Sequence, residues 1–485
     1  MSGMNKTIRH TAVFTLLLVV ALLVRATWVQ FHDSKALAED KLNKRNAIKT
    51  YAHPLGDIIV AGEPITGSKR TSGGDLAYKR TYKNGALYSS VTGYSSQVYG
   101  ATQLEGIFGD LLDGSDNRLK NPLDTLTNKR ADPGDVVTTI DPAVQKAGYK
   151  ALGDKKGAAV AIDPKTGRIL GMVSTPSYDP SKISGSADGD AWKALLGDED
   201  KPMVNRALRQ PLPPGSTFKL VVAAAALEDG LYDSVDQKTA SPDPYTLPGT
   251  RTSIPNEVKS APCENASLRT ALQWSCNNVF TKLAVDLGQD KLRAQAEKFG
   301  FNTQKLDVPV RAGVSLYPKG MDKASTGLTG IGQFDVTATP LQMAMVSAAI
   351  ANGGELRSPH MVSKTTDADG DVLKDYDEDA GAQRVVSEST AEQLASAMRS
   401  VVEKGTATNA RISGATVGGK TGTAQHGENN SKTPYAWFTS YAKGSDGKEV
   451  AVAVIVESSD AARSEVSGNG LAAPIATAMM RAALH

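Results

Sequence analysis

The chain has 485 residues, 54 basic against 52 acidic side chains, 40% hydrophobic and 22% charged residues, 6 His and 2 Cys. This length holds roughly two to four domains, and the ordinary apolar fraction excludes disorder as the main state. A net charge of +2 with no Lys/Arg block interleaved with aromatics argues against nucleic acid as a partner, and neither the scattered His nor the two Cys have metal-ligand spacing, so no metal or cofactor is expected.

In chain order, Lys6, Arg9 and His10 precede an uncharged run over 12–24, and Arg25, Trp28 and Phe31 follow it. A bilayer core takes about 20 apolar residues, which this run supplies when Arg25 snorkels and Trp28 sits at the interface. The small-residue site at 36–38 lies too far behind the run for signal-peptide cleavage. Residues 1–30 are therefore expected to form a short cytoplasmic tail and an uncleaved single-pass anchor, with the rest of the chain outside the cytoplasmic membrane.

Residues 31–133 alternate short apolar stretches with Gly, Ser, Tyr and Asn, as at 87–94, and read as short strands and turns with a polar connection over 113–130. Nothing catalytic stands out there. From residue 134 to 485 the texture becomes Ala- and Gly-rich. A strand over 134–141 opens this part, and a hairpin follows at 157–163 and 168–174, turning at Pro164-Lys165-Thr166-Gly167. Residues 216–227, apolar nearly all round, predict a buried helix, and Thr339 with Pro340 caps another that ends at Gly353-Gly354. Two strands at 436–442 and 450–456 and a closing helix over 471–484 complete an α+β pattern, an antiparallel sheet covered by helices.

Ser216 and Lys219 stand one helical turn apart, so the amine can face the hydroxyl, while the helix N-terminus favours developing negative charge. Ser-x-x-Lys alone is weak, since Ser440/Lys443 and Ser445/Lys448 also fit, the first on a strand and the second in a hairpin turn. Ser275-Cys276-Asn277 and Lys420-Thr421-Gly422-Thr423 follow downstream. Ser115-Asp116-Asn117, Ser467-Gly468-Asn469 and Lys165-Thr166-Gly167 repeat parts of the pattern, but the order Ser-x-x-Lys, Ser-x-Asn, Lys-Thr-Gly is met only by Ser216, Ser275 and Lys420. This motif set is the known signature of penicillin-binding proteins and class A β-lactamases.

With these motifs, and with Val91-Thr92-Gly93-Tyr94, Ala161-Ile162-Asp163-Pro164-Lys165-Thr166-Gly167 and Gly330-Ile331-Gly332-Gln333, the chain resembles the class B penicillin-binding proteins, in particular the PbpA-type D,D-transpeptidases of actinobacteria. Leu55-Gly56-Asp57-Ile58 departs from the Arg-Gly usual before the first strand of such proteins. The resemblance implies a membrane-anchored protein with a non-catalytic, pedestal or dimerisation-like domain over 31–133 and a penicillin-binding transpeptidase domain of the serine β-lactamase type over 134–485. It also implies the roles: Ser216 attacks the D-Ala-D-Ala carbonyl of a peptidoglycan stem peptide, Lys219 takes its proton, Ser275 relays a proton to the departing D-Ala, and Asn277 holds the peptide amide and Lys219. Lys420, Thr421 and Thr423 would bind the terminal carboxylate, Gly422 would admit the peptide to the strand edge, and the backbone N–H groups of Ser216 and Thr423 would form the oxyanion hole.

The same resemblance implies β-lactam antibiotics as inhibitors, and a SEDS-type membrane glycosyltransferase and other cell-wall synthesis proteins as partners. A β-lactam-hydrolysing or β-lactam-sensing protein of the same fold is the alternative. The Glu-x-x-Leu-Asn pattern at 39–43 is the feature that would favour hydrolysis, but it precedes Ser216 and reads as a solvated juxtamembrane helix. Cys263 and Cys276, placed where oxidation is permitted, are expected to form a disulfide that braces Ser275 and Asn277, two buried thiols being the other reading.

Overall fold

The computed structural model describes residues 2–33, 44–72, 76–120, 130–427, 431–461 and 463–485. The 36–38 site and the 39–43 pattern lie outside them. The first helix, Ser2–Trp28, carries its large apolar side chains exposed from Ile8 onward, and Lys6–His32, whose most apolar 18 residues have a mean hydropathy of 2.3, is long and apolar enough to cross a membrane.

A small sheet is assembled from distant parts of the chain. Its strands run in the order Val372–Asp375, Val362–Thr366, Asp135–Thr138, Ile58–Val60, Glu63–Pro64, with Ile58–Val60 parallel to Asp135–Thr138 and the other pairs antiparallel. A boundary after Pro133 therefore separates two strands that are neighbours in one sheet. The strand pattern read at 87–94 is instead a helix, Gly85–Thr92. Its polar residues mimic an outward face but are buried and satisfied: the Ser90 hydroxyl donates to the distant Met172 O and that of Thr92 to Tyr88 O one turn back, while Tyr88 and Val91 enter the core one turn apart.

The larger sheet has five antiparallel strands in the order Ala415–Ala424, Tyr435–Gly444, Glu449–Ser458, Lys156–Ile162, Ile169–Thr175. Side chains alternate across a strand, and the pair Thr439 and Ser440 shows what covers each face. The Thr439 hydroxyl donates to Met343 O and meets Ser347 in the helix Pro340–Ala351, whereas Ser440 faces Met480 in the closing helix Ala473–Leu484. With both faces covered, Glu449–Ser458 reads as a continuous apolar run whose eight middle residues are buried. Arg168, after the hairpin turn of this sheet, donates two hydrogen bonds to Asp377, which also accepts from Ser363 and contacts His360, so this carboxylate reinforces the main-chain hydrogen bonds that join the two sheets, such as Ile169 N to His360 O.

Candidate active site

Ser216 lies in a 3₁₀ turn, Gly215–Phe218, that runs into the buried helix Lys219–Glu228. The helix predicted from Ser216 thus begins one turn later as α-helix, because Gly215 adopts φ 53° and the Thr217 hydroxyl bonds back to Pro214 O at 2.7 Å, tightening the first turn. Two glycines let neighbouring chain reach this turn. A Cβ on Gly332, itself at φ 67°, would lie 2.0 Å from Gly215 O, and one on Gly422 would lie 2.9 Å from Pro214 O. The 330–333 segment and the strand Ala415–Ala424 consequently pack directly on the nucleophile turn.

Ser275 forms the corner between the helices Leu268–Trp274 and Asn277–Lys298 in a left-handed conformation, φ 59° and ψ 40°. A non-glycine residue in that region is strained, and such strain concentrates at functional sites. The corner is held by Asn256, whose Oδ1 accepts from the Asn277 N–H at 2.6 Å, and by Asn277 Nδ2 donating to Pro255 O at 2.8 Å. Cys263 and Cys276 are joined in a disulfide, and Asn278 Nδ2 donates to Cys263 O at 2.9 Å, tying the same loop a second time.

Both lysines are fully buried and converge on one hydroxyl. Lys219 Nζ lies 2.8 Å from Ser275 O, 2.7 Å from Asn277 Oδ1 and 3.1 Å from Ser275 Oγ. Lys420 Nζ lies 3.0 Å from Ser275 Oγ and 2.9 Å from Thr421 O. Burial, reinforced by the Lys420 charge and opposed by Glu257, holds the Lys219 amine well below the ordinary lysine range. Burial likewise pushes Lys420 down to about 7, again against Glu257.

A neutral Lys219 has two N–H groups for Ser275 O and Asn277 Oδ1 and one lone pair facing Ser275 Oγ. Ser275 can then accept from Lys420 and donate to Lys219, which makes it a proton bridge between the two amines. The amine expected to point at Ser216 thus points at Ser275 and Asn277, and the Ser216 hydroxyl has no hydrogen-bond partner among the described residues. Thr421 Oγ1 contacts Thr406 Oγ1 at 2.8 Å, and Thr423 is half-buried on the same strand.

The partial repeats of the motif serve other ends. Asp116 caps the turn Asn117–Leu119, Lys165 pairs with Glu449, and Gly468 packs against Trp437 O and Gly422 N. Asn256, Pro255, Glu257 and Thr406 were not singled out from the sequence. They act through a side-chain amide, a main-chain carbonyl, an exposed charge and a single hydroxyl in turn, and no local pattern marks them.

Residues 157–481 match the penicillin binding protein transpeptidase domain, and residues 55–136 match the penicillin binding protein A dimerisation domain. The peptidoglycan D,D-transpeptidase PbpA of Mycolicibacterium smegmatis is 37% identical, with 99% of each chain covered. The chain belongs to the PbpA-type penicillin-binding proteins. Among solved structures, this penicillin-binding protein resembles penicillin-binding protein A from M. tuberculosis as a ceftriaxone acyl-enzyme complex, with a TM-score of 0.83, 36% identity, and 90% of this chain and 100% of that one covered. It also resembles the D,D-transpeptidase domain of a peptidoglycan glycosyltransferase from Eggerthella lenta, with a TM-score of 0.75, 31% identity, and 89% and 98% covered.

Proposed function

We propose that the peptidoglycan D,D-transpeptidase activity of this penicillin-binding protein runs through an acyl-enzyme on Ser216. The observation that carries the reading is the convergence of Lys219 and Lys420 on Ser275 Oγ, at 3.1 and 3.0 Å, beside a serine at the start of a buried helix. Ser216 Oγ attacks the carbonyl between the two terminal D-Ala residues of a stem peptide, and Lys219, neutral by burial, takes the proton. Backbone N–H groups of Ser216 and Thr423 receive the oxyanion. Ser275 passes a proton to the departing D-Ala nitrogen and is resupplied by protonated Lys219, 3.1 Å away, which restores Lys219 as the base; an acceptor amine then attacks the acyl-enzyme, its proton passing through Lys219 to the Ser216 oxygen as that oxygen leaves.

Lys420, Thr421 and Thr423 bind the substrate carboxylate, whose charge favours the protonated form of Lys420. Asn277 keeps Lys219 in place through Oδ1, and Gly422, where a Cβ would meet Pro214 O at 2.9 Å, lets the strand lie against the nucleophile turn so that an extended peptide can pair along its edge. β-Lactams enter as mimics of the same dipeptide and stall at the acyl-enzyme.

The N-terminal helix serves as a single-pass anchor that leaves residues 31–133 and the catalytic residues 134–485 outside the cytoplasmic membrane, the side on which stem peptides occur. On this reading a SEDS-type glycosyltransferase, the partner that the family resemblance implies, supplies glycan strands from the same membrane. Labelling with a fluorescent penicillin, followed by intact-mass measurement, tests the nucleophile. One adduct is expected on the native chain and none on Ser216→Ala; an adduct retained by that variant overturns the assignment.

A further inference from the structure

Thr406 lies just beyond the helix Glu388–Lys404, outside every motif that marks the site. Its backbone N–H donates to Gln273 O at 3.1 Å, two residues ahead of Ser275, and its hydroxyl lies 2.8 Å from that of Thr421. The approach to Gln273 is close: a Cβ on the preceding residue, Gly405, would lie 2.3 Å from the same carbonyl. Gln273 also reaches back, Nε2 donating to Lys404 O at 3.4 Å. Thr406 is thus pinned through its main chain to the helix that carries Ser275, and through its side chain to the strand that carries Lys420. On its other side Thr421 is crowded by Gly468, where an added Cβ would sit 3.0 Å from Thr421 Cβ. Among the described residues, Thr406 is the one hydrogen-bond partner of the Thr421 hydroxyl.

We propose that Thr406 is a positioning residue for substrate carboxylate recognition, acting by fixing the direction of the Thr421 hydroxyl. Each hydroxyl carries one proton, and the contact between them uses one. When Thr406 donates to Thr421, the proton of Thr421 remains for a third group, and a carboxylate, which only accepts, requires that direction. The chain Thr406 to Thr421 to carboxylate is then polarised in one sense, each bond strengthening the next. Without the Thr406 hydroxyl, Thr421 keeps its place on the strand but its proton is no longer directed. The proposal rests on the reading of Thr421 as a carboxylate ligand.

The test uses the full chain and the second-order rate of acylation by a penicillin with a free carboxylate and by its methyl ester. Thr406→Val, equal in shape, should slow acylation by the acid by up to about tenfold, the worth of the one neutral hydrogen bond that directs Thr421, and leave the ester within about twofold. Thr406→Ser should return the acid rate to within about threefold of the native value, and Thr406→Val should add nothing to Thr421→Val. Equal losses on acid and ester, or no recovery with serine, overturn the proposal and leave Thr406 a structural residue. Thr421→Val measured alone separates the two readings: if it does not discriminate acid from ester, the carboxylate role of Thr421 fails first. Thr406→Ala, with the same expected outcomes, replaces the valine variant if thermal melting shows that the latter does not fold.

Discussion

At the scale of single residues, the site depends on keeping two amines out of water a few ångströms from one hydroxyl. Because Lys219 is held low by burial and by Lys420, the acylation rate should rise with pH through an ionisation far below that of a free lysine. Lys420→Ala removes one of the two causes, so the rising limb should move to higher pH; a limb that stays in place would mean the lysines do not sense each other. The same burial carries a stability signature. Lys420 titrates at about 7 in the folded chain and near the free value of about 10.4 when unfolded, so between these the unfolded state binds more protons and stability rises with pH. Lys420→Met should be more stable than the native chain at pH 7 and should flatten that rise, measured by denaturant unfolding from pH 7 to 10.

At the scale of elements, the nucleophile turn is shaped by what lies against it. Gly332→Ala would place a methyl 2.0 Å from Gly215 O at a residue with φ 67°, so it should displace the turn and cut penicillin acylation by at least about tenfold. The disulfide closes a loop of about a dozen residues behind Ser275. Cys263→Ser should cost ~3 kcal/mol by freeing the unfolded chain and should lower both the melting temperature and the acylation rate. Unchanged melting with slower acylation would restrict the bond to a local role. The final hairpin, the Thr339-capped helix and the Ser216 segment were legible in the sequence because apolar runs, a Pro at the first helical position and Gly stops are local signals. The helix Gly85–Thr92 was not legible, since its buried serines and threonine are satisfied by partners no local pattern reveals. The same limit hid Asn256 and Thr406, whose roles exist only once the chain has closed on itself.

At the scale of the whole molecule, Asp377 gathers the side-chain contacts between the two sheets. Burial alone would raise its pKa, but hydrogen bonds from Arg168, Ser363 and His360 hold its carboxyl well below the usual range. Its contribution is therefore present at neutral pH and is lost as pH falls below about 4 through the acidic range. Asp377→Asn should leave penicillin acylation near native and increase amide hydrogen exchange in Val362–Thr366; equal exchange in both proteins would remove this role from the account. The small sheet also imposes an order of events on a chain that emerges from its N-terminus. Ile58–Val60 finds its parallel partner only when Asp135–Thr138 has been made, and that strand's other edge stays open until Val362–Thr366 arrives, more than 200 residues later. The domain next to the N-terminal apolar helix is thus the first to be synthesised and among the last to be closed, so a nascent chain interrupted within the transpeptidase domain would present an unpaired edge to its neighbours.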